Sequence, residues 1–255
     1  MITVDYRGLK FKLPEQDKLF SKNMYKFVDE VHNTVKLANI KPGGVFFEIG
    51  LCFGVSSITA VKSGMFRKAH AMEADRGNCT LAAINKELNK ADVSIYPYAA
   101  SDISGKGSLV LSSRSNIGGN VVTHEDNGSN TIDLITIDEL IDKENIDISD
   151  ITLVWCDAQG SEGRLIKGAS KLLAKRIPWT IELAPDLLES LGTTKEELLS
   201  LVVPHFTKLI DLKDVTSKVR PVQELVDVFS YYKELRKDIG NGKTKASHTN
   251  VLLIP

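Results

Sequence analysis

The chain has 255 residues, 42% hydrophobic and 25% charged, a composition that fits a folded globular protein and excludes disordered, collagen-like and disulfide-scaffold classes. Its 32 Lys and Arg residues nearly cancel 33 Asp and Glu for a net charge of −1, so neither nucleic acid nor an anionic membrane is an expected partner. The longest apolar runs, such as 151–155, fall far short of the roughly 20 residues that span a bilayer. Residues 1–12 carry charges where a signal peptide needs an apolar stretch, and Cys52, Cys79 and Cys156 form no Cys-x-x-Cys pair. These features predict a reduced, cytoplasmic protein without a structural zinc.

In chain order, runs at 2–4 and 9–11 bracket Tyr6-Arg7-Gly8 as a hairpin, and 19–38 carry apolar residues at near-helical spacing. Residues 1–40 read as a small N-terminal cover on a domain spanning 41–255, the whole forming one compact unit. Lys41-Pro42-Gly43-Gly44 ends the helix, because Pro disfavours helical geometry in the residue before it. Beyond it, short β-branched or aromatic runs alternate with amphipathic stretches, the α/β pattern of a parallel sheet with helices on both faces. Strand 45–49 leads to a helix over 55–62, strand 69–72 to a helix from about 78 to 89, and the run 93–99 to Ser101-Asp102. Residues 107–111 read as an extra edge strand, and the polar, glycine-bearing stretch 112–130 as the least structured and a mobile loop. Thr136, with Glu139 three residues on, makes a capping box for a helix to 143. The most continuously apolar strand, 151–156, precedes a crossover helix over 162–174. A fifth strand at 179–181, helices near 195–202 and 222–236, and strands at 208–210 and 250–254 complete the pattern. The charge-rich stretch 233–245 around Gly240-Asn241-Gly242 reads as an exposed helix end and turn.

Four of these strands end beside an acid: Glu48, Glu73, Asp157 and Glu182. Ligands of open α/β sheets bind beyond the carboxyl ends of the strands, so the four carboxylates are expected to line one cleft. The turn Glu48-Ile49-Gly50-Leu51-Cys52-Phe53-Gly54 sets glycines where a backbone must approach a ligand ahead of a helix N-terminus. Cys52 and Val55 break the Gly-x-Gly-x-x-Gly dinucleotide pattern, and no lysine follows as in a triphosphate loop. An acid-x-Gly-x-x-x-Gly turn suits S-adenosylmethionine, with its ammonium facing Glu48 and the rest lying on the backbone at Gly50 and Gly54. Glu73, at the end of the second strand, can accept both ribose hydroxyl hydrogens. Ser101 and Asp102 are candidates for bounding the adenine amine, or they form a local turn. On the acceptor side Asp157 is the candidate base or orienting group and Glu182 a second acid, with Gln159 and Glu162 as substrate contacts. Asp157 and Glu162 also suit a helix N-terminus. Two carboxylates without a third ligand make no case for Mg²⁺, and His124-Glu125-Asp126 reads as solvated loop, so no metal is expected.

Taken together, Phe47-Glu48-Ile49-Gly50 with Gly54, Met72-Glu73-Ala74-Asp75, Ala99-Ala100-Ser101-Asp102, Ile135-Thr136-Ile137-Asp138-Glu139-Leu140, Cys156-Asp157-Ala158-Gln159-Gly160-Ser161-Glu162 and Thr249-Asn250-Val251-Leu252 resemble the FkbM-type S-adenosylmethionine-dependent methyltransferases. The resemblance implies a Rossmann-like, seven-stranded methyltransferase sheet and transfer of methyl groups mainly to hydroxyl oxygens of sugars and natural products, in some members to peptide amide nitrogen. The acceptor is then a small molecule, a glycan or a peptide. Two departures stand out. Glu48 replaces the family's usual Asp, with Leu51-Cys52 where a small residue and Asn are common, and Trp155 stands where a Lys often precedes the motif Asp by two positions. The expected activity is O-methylation, with amide N-methylation or a cofactor-binding module that has lost catalysis as alternatives. Oligomeric state does not follow from the sequence.

Overall fold

The structure, a computed structural model, describes residues 1–18, 20–240 and 243–255. The expected helix start at Leu19 and the Asn241-Gly242 part of the charged turn lie outside the described residues.

Strands β1 (Ile2–Tyr6) and β2 (Leu9–Leu13) form the expected antiparallel hairpin, with Ile2 opposite Leu13. Period-two alternation turns Leu9, Phe11 and Leu13 of β2 inward. Helix α1 (Phe20–Leu37) buries Met24, Val28, Val31 and Val35, spaced three or four apart on one face. These side chains share a cluster with Phe46, Leu153 and Trp155, so the hairpin and α1 cover one face of the central sheet.

The chain then runs β3 (Gly44–Ile49), α2 (Val55–Lys62), β4 (Phe66–Met72), α3 (Arg76–Asn89), β5 (Val93–Tyr96), β6 (Ala99–Ala100), β7 (Gly105–Val110), β8 (Val121–Thr123), β9 (Thr131–Ile135) and α4 (Ile137–Lys143). It continues with β10 (Ile151–Cys156), α5 (Glu162–Lys167), α6 (Ser170–Ala174), β11 (Trp179–Leu183), α7 (Pro185–Ser190), α8 (Lys195–Val202), β12 (Lys208–Asp211), β13 (Arg220–Pro221), α9 (Leu225–Glu234), β14 (Arg236–Gly240), β15 (Lys243–Ala246) and β16 (Thr249–Ile254).

The main sheet has the order β13-β12-β16-β11-β10-β3-β4-β5. Its β11-β10-β3-β4-β5 portion is parallel, and β16 lies antiparallel between β11 and β12. This is the Rossmann-like methyltransferase sheet, with the two-residue edge strand β13 added to the expected seven. Pro221 in that edge strand has no N–H to offer a further strand. Along β3, Val45, Phe47 and Ile49 face the core built with helices α4 to α9, while Phe46 faces the core under α1 and α2. A strand buried on both faces reads as a continuous apolar run, which is why β3 and β10 are legible in the sequence.

Between α3 and α4 the sequence reading needs correction. The strand expected at an edge of the main sheet, β7, instead belongs to a separate four-stranded sheet of order β6-β9-β7-β8. The stretch expected to be least structured holds a 3₁₀ turn at Ile117–Gly119 and strand β8. The single crossover helix is two helices, α5 and α6, meeting at Gly168. A Cβ at Gly168 would lie 2.1 Å from the Ser101 carbonyl oxygen, so the chain packs here at backbone distance. Among the described residues no helix is long and apolar enough to cross a membrane.

Gly168→Ala is therefore expected to destabilise the protein by about 1–3 kcal/mol, the usual cost of overpacking. It should lower the urea midpoint without changing the slope of the transition. An unchanged midpoint would show that α5 and β6 can separate without cost.

Candidate active site

The tips of three strands lock together at Gly50. Its φ of +88° is in the left-handed region, and a Cβ there would lie 1.8 Å from the Asp157 carbonyl oxygen. The Asp157 N–H donates to the Ile49 carbonyl at 2.9 Å, and the N–H groups of Gly50 and Leu51 donate to the Met72 carbonyl at 3.1 and 3.0 Å. Only glycine satisfies both the dihedral and the approach. Gly54, with φ +85°, starts α2.

Glu73 lies just past β4 and lines the cavity at these tips. The Cys52 N–H donates to its Oε2 at 2.6 Å and the Asp75 N–H to its Oε1 at 2.8 Å, which fixes the carboxylate plane. Burial pushes its pKa up to about 7, partly offset by those two N–H groups. The Asn78 side chain donates to the same carboxylate, which leaves one lone pair for a ligand hydroxyl.

Glu48 has a different setting. It lies within β3 and not beyond its end, and it is not part of the cavity wall. Its Oε2 accepts from the Ser57 N–H at 3.1 Å and from the Ser57 hydroxyl, both on α2. In the sheet its register partner is Trp155, packed against Phe46 with ring centroids 6.2 Å apart. The position where a lysine is common thus presents an indole beside a buried carboxyl. Burial pushes the Glu48 pKa up to about 8, against hydrogen bonds from Ser57 and Ser56.

Asp157 lies just beyond β10, on the cavity wall with Gln159. The Gln159 amide donates to Asp157 Oδ1 at 2.7 Å and to Glu182 Oε2 at 2.9 Å, drawing the two acids together. Burial raises both carboxyl pKa values, and Glu182 is raised well above the usual range by burial and by the charges of Asp157 and Glu162. The hydrogen bond between them favours ionised Asp157 as acceptor and protonated Glu182 as donor. Glu182 lies inside β11, which runs past the expected end at 181, and is paired across the sheet with Asn250. Glu162 is fully buried and not on the cavity wall. Its Oε1 accepts from the Ala158 N–H at 2.8 Å, and burial lifts its pKa to about 8.

Ser101 and Asp102 stand outside the wall, where the Ser101 hydroxyl meets His124 Nε2 at 2.6 Å and Asp102 Oδ1 at 3.1 Å. His124, read from sequence as solvated loop, thus ties the end of β8 to the end of β6. Two more bonds hold the same segment as a flap over the cavity. The Ile117 N–H donates to Asp17 Oδ2 at 2.8 Å, and the Asn120 amide donates to Asp75 Oδ2 at 3.1 Å. Sequence reasoning also missed Glu30 of α1, whose Oε1 accepts from the Asn250 amide at 2.5 Å. Its carboxyl is raised by burial and by the charge of Asp157. A contact 220 residues apart leaves no local signal. Among the described residues no group of three His, Cys, Asp or Glu side chains could hold a metal ion.

A parallel sheet with the antiparallel strand β16 inserted between β11 and β12, and an acid-lined cavity at the strand tips, is the arrangement of a Rossmann-like enzyme that holds a nucleoside cofactor. The methyltransferase FkbM domain matches residues 48–202, and the chain belongs to that family of S-adenosylmethionine-dependent methyltransferases. Similar solved structures include an FkbM methyltransferase from Methylobacillus flagellatus, 13% identical over 92% of this chain and 59% of that one, with a TM-score of 0.43. Another is the precorrin-6y C5,15-methyltransferase from Geobacter metallireducens, 10% identical over 88% of this chain and 86% of that one, TM-score 0.44. A third is an O-methyltransferase from Bacillus cereus in complex with SAH, 13% identical over 95% and 84%, TM-score 0.42. A comparison with curated proteins finds no match.

The buried acids make stability depend on pH. Glu48, with a folded pKa of about 8 against an ordinary 4.5, contributes stability that is complete below the ordinary value and lost as pH rises through about 8. Glu48→Gln keeps the shape and stays neutral. Its melting temperature relative to wild type is expected to rise steadily from about pH 5 to pH 9, by about 2–4 °C for each kcal/mol recovered. A difference independent of pH would mean that Glu48 is ionised in the fold.

Proposed function

We propose that the enzyme methylates a hydroxyl group of a sugar or natural product, with Asp157 as the base. The observation that carries this reading is the Asp157 carboxyl on the cavity wall, held by Gln159 beside Glu182. The cavity suits the cofactor on the chemistry of its lining. Glu73 offers an oriented acceptor for a ribose hydroxyl, the Gly50 turn gives close access to backbone, and Leu109, Ile117 and Val122 give an apolar roof for a flat base. Bound there, S-adenosylmethionine supplies a methyl group open to attack by the acceptor oxygen and leaves as S-adenosylhomocysteine.

The protein's part is to position the acceptor and to take its proton. Gln159 fixes the Asp157 carboxylate, and protonated Glu182 stabilises the ionised form of Asp157 until it receives the hydroxyl proton. Glu162 braces this loop by accepting from the Ala158 N–H. Glu48 and Gly54 shape the turn that carries Gly50, and Ser101 and Asp102 hold the flap through His124.

S-adenosylhomocysteine is expected to raise the melting temperature of the wild type, with no comparable shift from NAD or ATP. Glu73→Ala should weaken that ligand by roughly 10- to 100-fold through loss of charge-assisted hydrogen bonds, with the fold intact. A variant that binds as tightly as wild type would remove Glu73 from the ribose contact.

Asp157→Asn should leave S-adenosylhomocysteine affinity nearly unchanged in calorimetry. It should slow single-turnover transfer of labelled methyl by about 10²- to 10⁴-fold. Wild-type activity should fall on the acid side as Asp157 is protonated, and because burial raises this carboxyl, the limb should lie above the ordinary carboxylate range. Sugars, polyhydroxylated natural products, peptides and RNA form the acceptor panel. Methyl found on nitrogen would replace the O-methylation reading, and cofactor binding without transfer to any acceptor would favour a binding module.

A further inference from the structure

Ser161 occupies the position before α5 where serine usually caps a helix, yet its hydroxyl makes no capping bond. Its backbone angles, φ −84° and ψ 3°, are not the extended ones that aim a side chain back at the helix N–H groups. The preceding residues impose this. Gln159 and Gly160 have φ of +51° and +95°, and a Cβ on Gly160 would lie 2.8 Å from Leu187 of α7. The loop is thereby wound so that Ser161 lies on the cavity wall. The residue is 3% exposed, and its Oγ has no hydrogen-bond partner. Buried polar groups are rarely left unpaired, because lost hydration then goes uncompensated.

The other neutral polar side chains of the cavity differ in this respect. Asn78 donates to Glu73, Tyr98 accepts from Lys143 at 2.8 Å, Asn120 bridges Ser112 and Asp75, and Gln159 holds Asp157 and Glu182. Helix α5 runs toward the β6 side, since Gly168 packs on the Ser101 carbonyl and Arg164 is close enough to act on the charge of His124. There the walls are Ala99, Ala100, Leu109 and Val122. Ser101 and Asp102, the obvious groups for an adenine amine, are taken by His124.

We propose that Ser161 Oγ accepts a hydrogen bond from the 6-amino group of the cofactor's adenine and so selects that base. This rests on the reading above in which Glu73 holds the ribose and the base extends toward β6. A hydroxyl unpaired without ligand and paired with it predicts opposite signs for apo stability and for affinity.

Calorimetry with S-adenosylhomocysteine and with its analogue lacking the 6-amino group (purine in place of adenine) tests this on wild type and on Ser161→Ala. The variant should bind S-adenosylhomocysteine about 10-fold more weakly. The amino-free analogue should bind both proteins alike, and the ligand-free melting temperature should be unchanged or higher. Ser161→Cys, similar in size and a poor acceptor, should repeat the result. Unchanged affinity, equal losses for both ligands, or a ligand-free melting temperature several degrees lower in both variants would overturn the proposal. Wild type that binds neither ligand would instead overturn the cofactor-site reading itself.

Discussion

The approach of β3 to β10 at Gly50 sets everything else in the site. With the Gly50 Cα against the Asp157 carbonyl and the Asp157 N–H on the Ile49 carbonyl, the turn after one strand and the acid after its neighbour become parts of one wall. The Met72 carbonyl accepts from the same turn and brings in Glu73. Three segments distant in sequence are joined by backbone hydrogen bonds, reinforced by the Cys52 N–H on the Glu73 carboxylate.

Position relative to a strand end decides what each acid does. Glu73 and Asp157 come after their strands and reach the cavity, whereas Glu48 and Glu182 lie within theirs and are paired inside the protein. Glu48 is opposite Trp155 and meets serine hydroxyl and amide donors. Glu182 is raised beside Asp157. Low dielectric favours a neutral Glu182 over the opposing pull of Lys213, and a neutral partner favours charge on Asp157.

The repeating βα core was legible because periodicity and turn chemistry act locally. Helix 55–62 and strand 151–156 match α2 and β10 to the residue. The capping box at Thr136 was half legible. The Thr136 hydroxyl accepts from the Glu139 N–H, but Glu139 turns to the Ser104 hydroxyl, which itself receives the Thr136 N–H. That competition comes from another segment. The break at Gly168, the separate sheet around β7 and the pairing of Glu30 with Asn250 are likewise tertiary, with no trace in spacing. Helix α7 was missed because six residues opening on Pro185 look like a turn. Of the site, the acids and glycines could be read from strand ends, but the wall could not be told from the interior without knowing where each strand stops.

The flap has a consequence for traffic through the site. The cavity beneath it measures about 60 Å³, against the roughly 300–1,000 Å³ of typical small-molecule sites. On the proposed function a nucleoside-sized cofactor needs more room than this, and the span from Ile117 to His124 is the part of the wall that has to shift to admit it. That span is fastened to the N-terminal hairpin's exit at Asp17, to the start of α3 at Asp75 and to β6 at Ser101. On that reading the spent cofactor departs no faster than these fastenings release, however quick the chemistry.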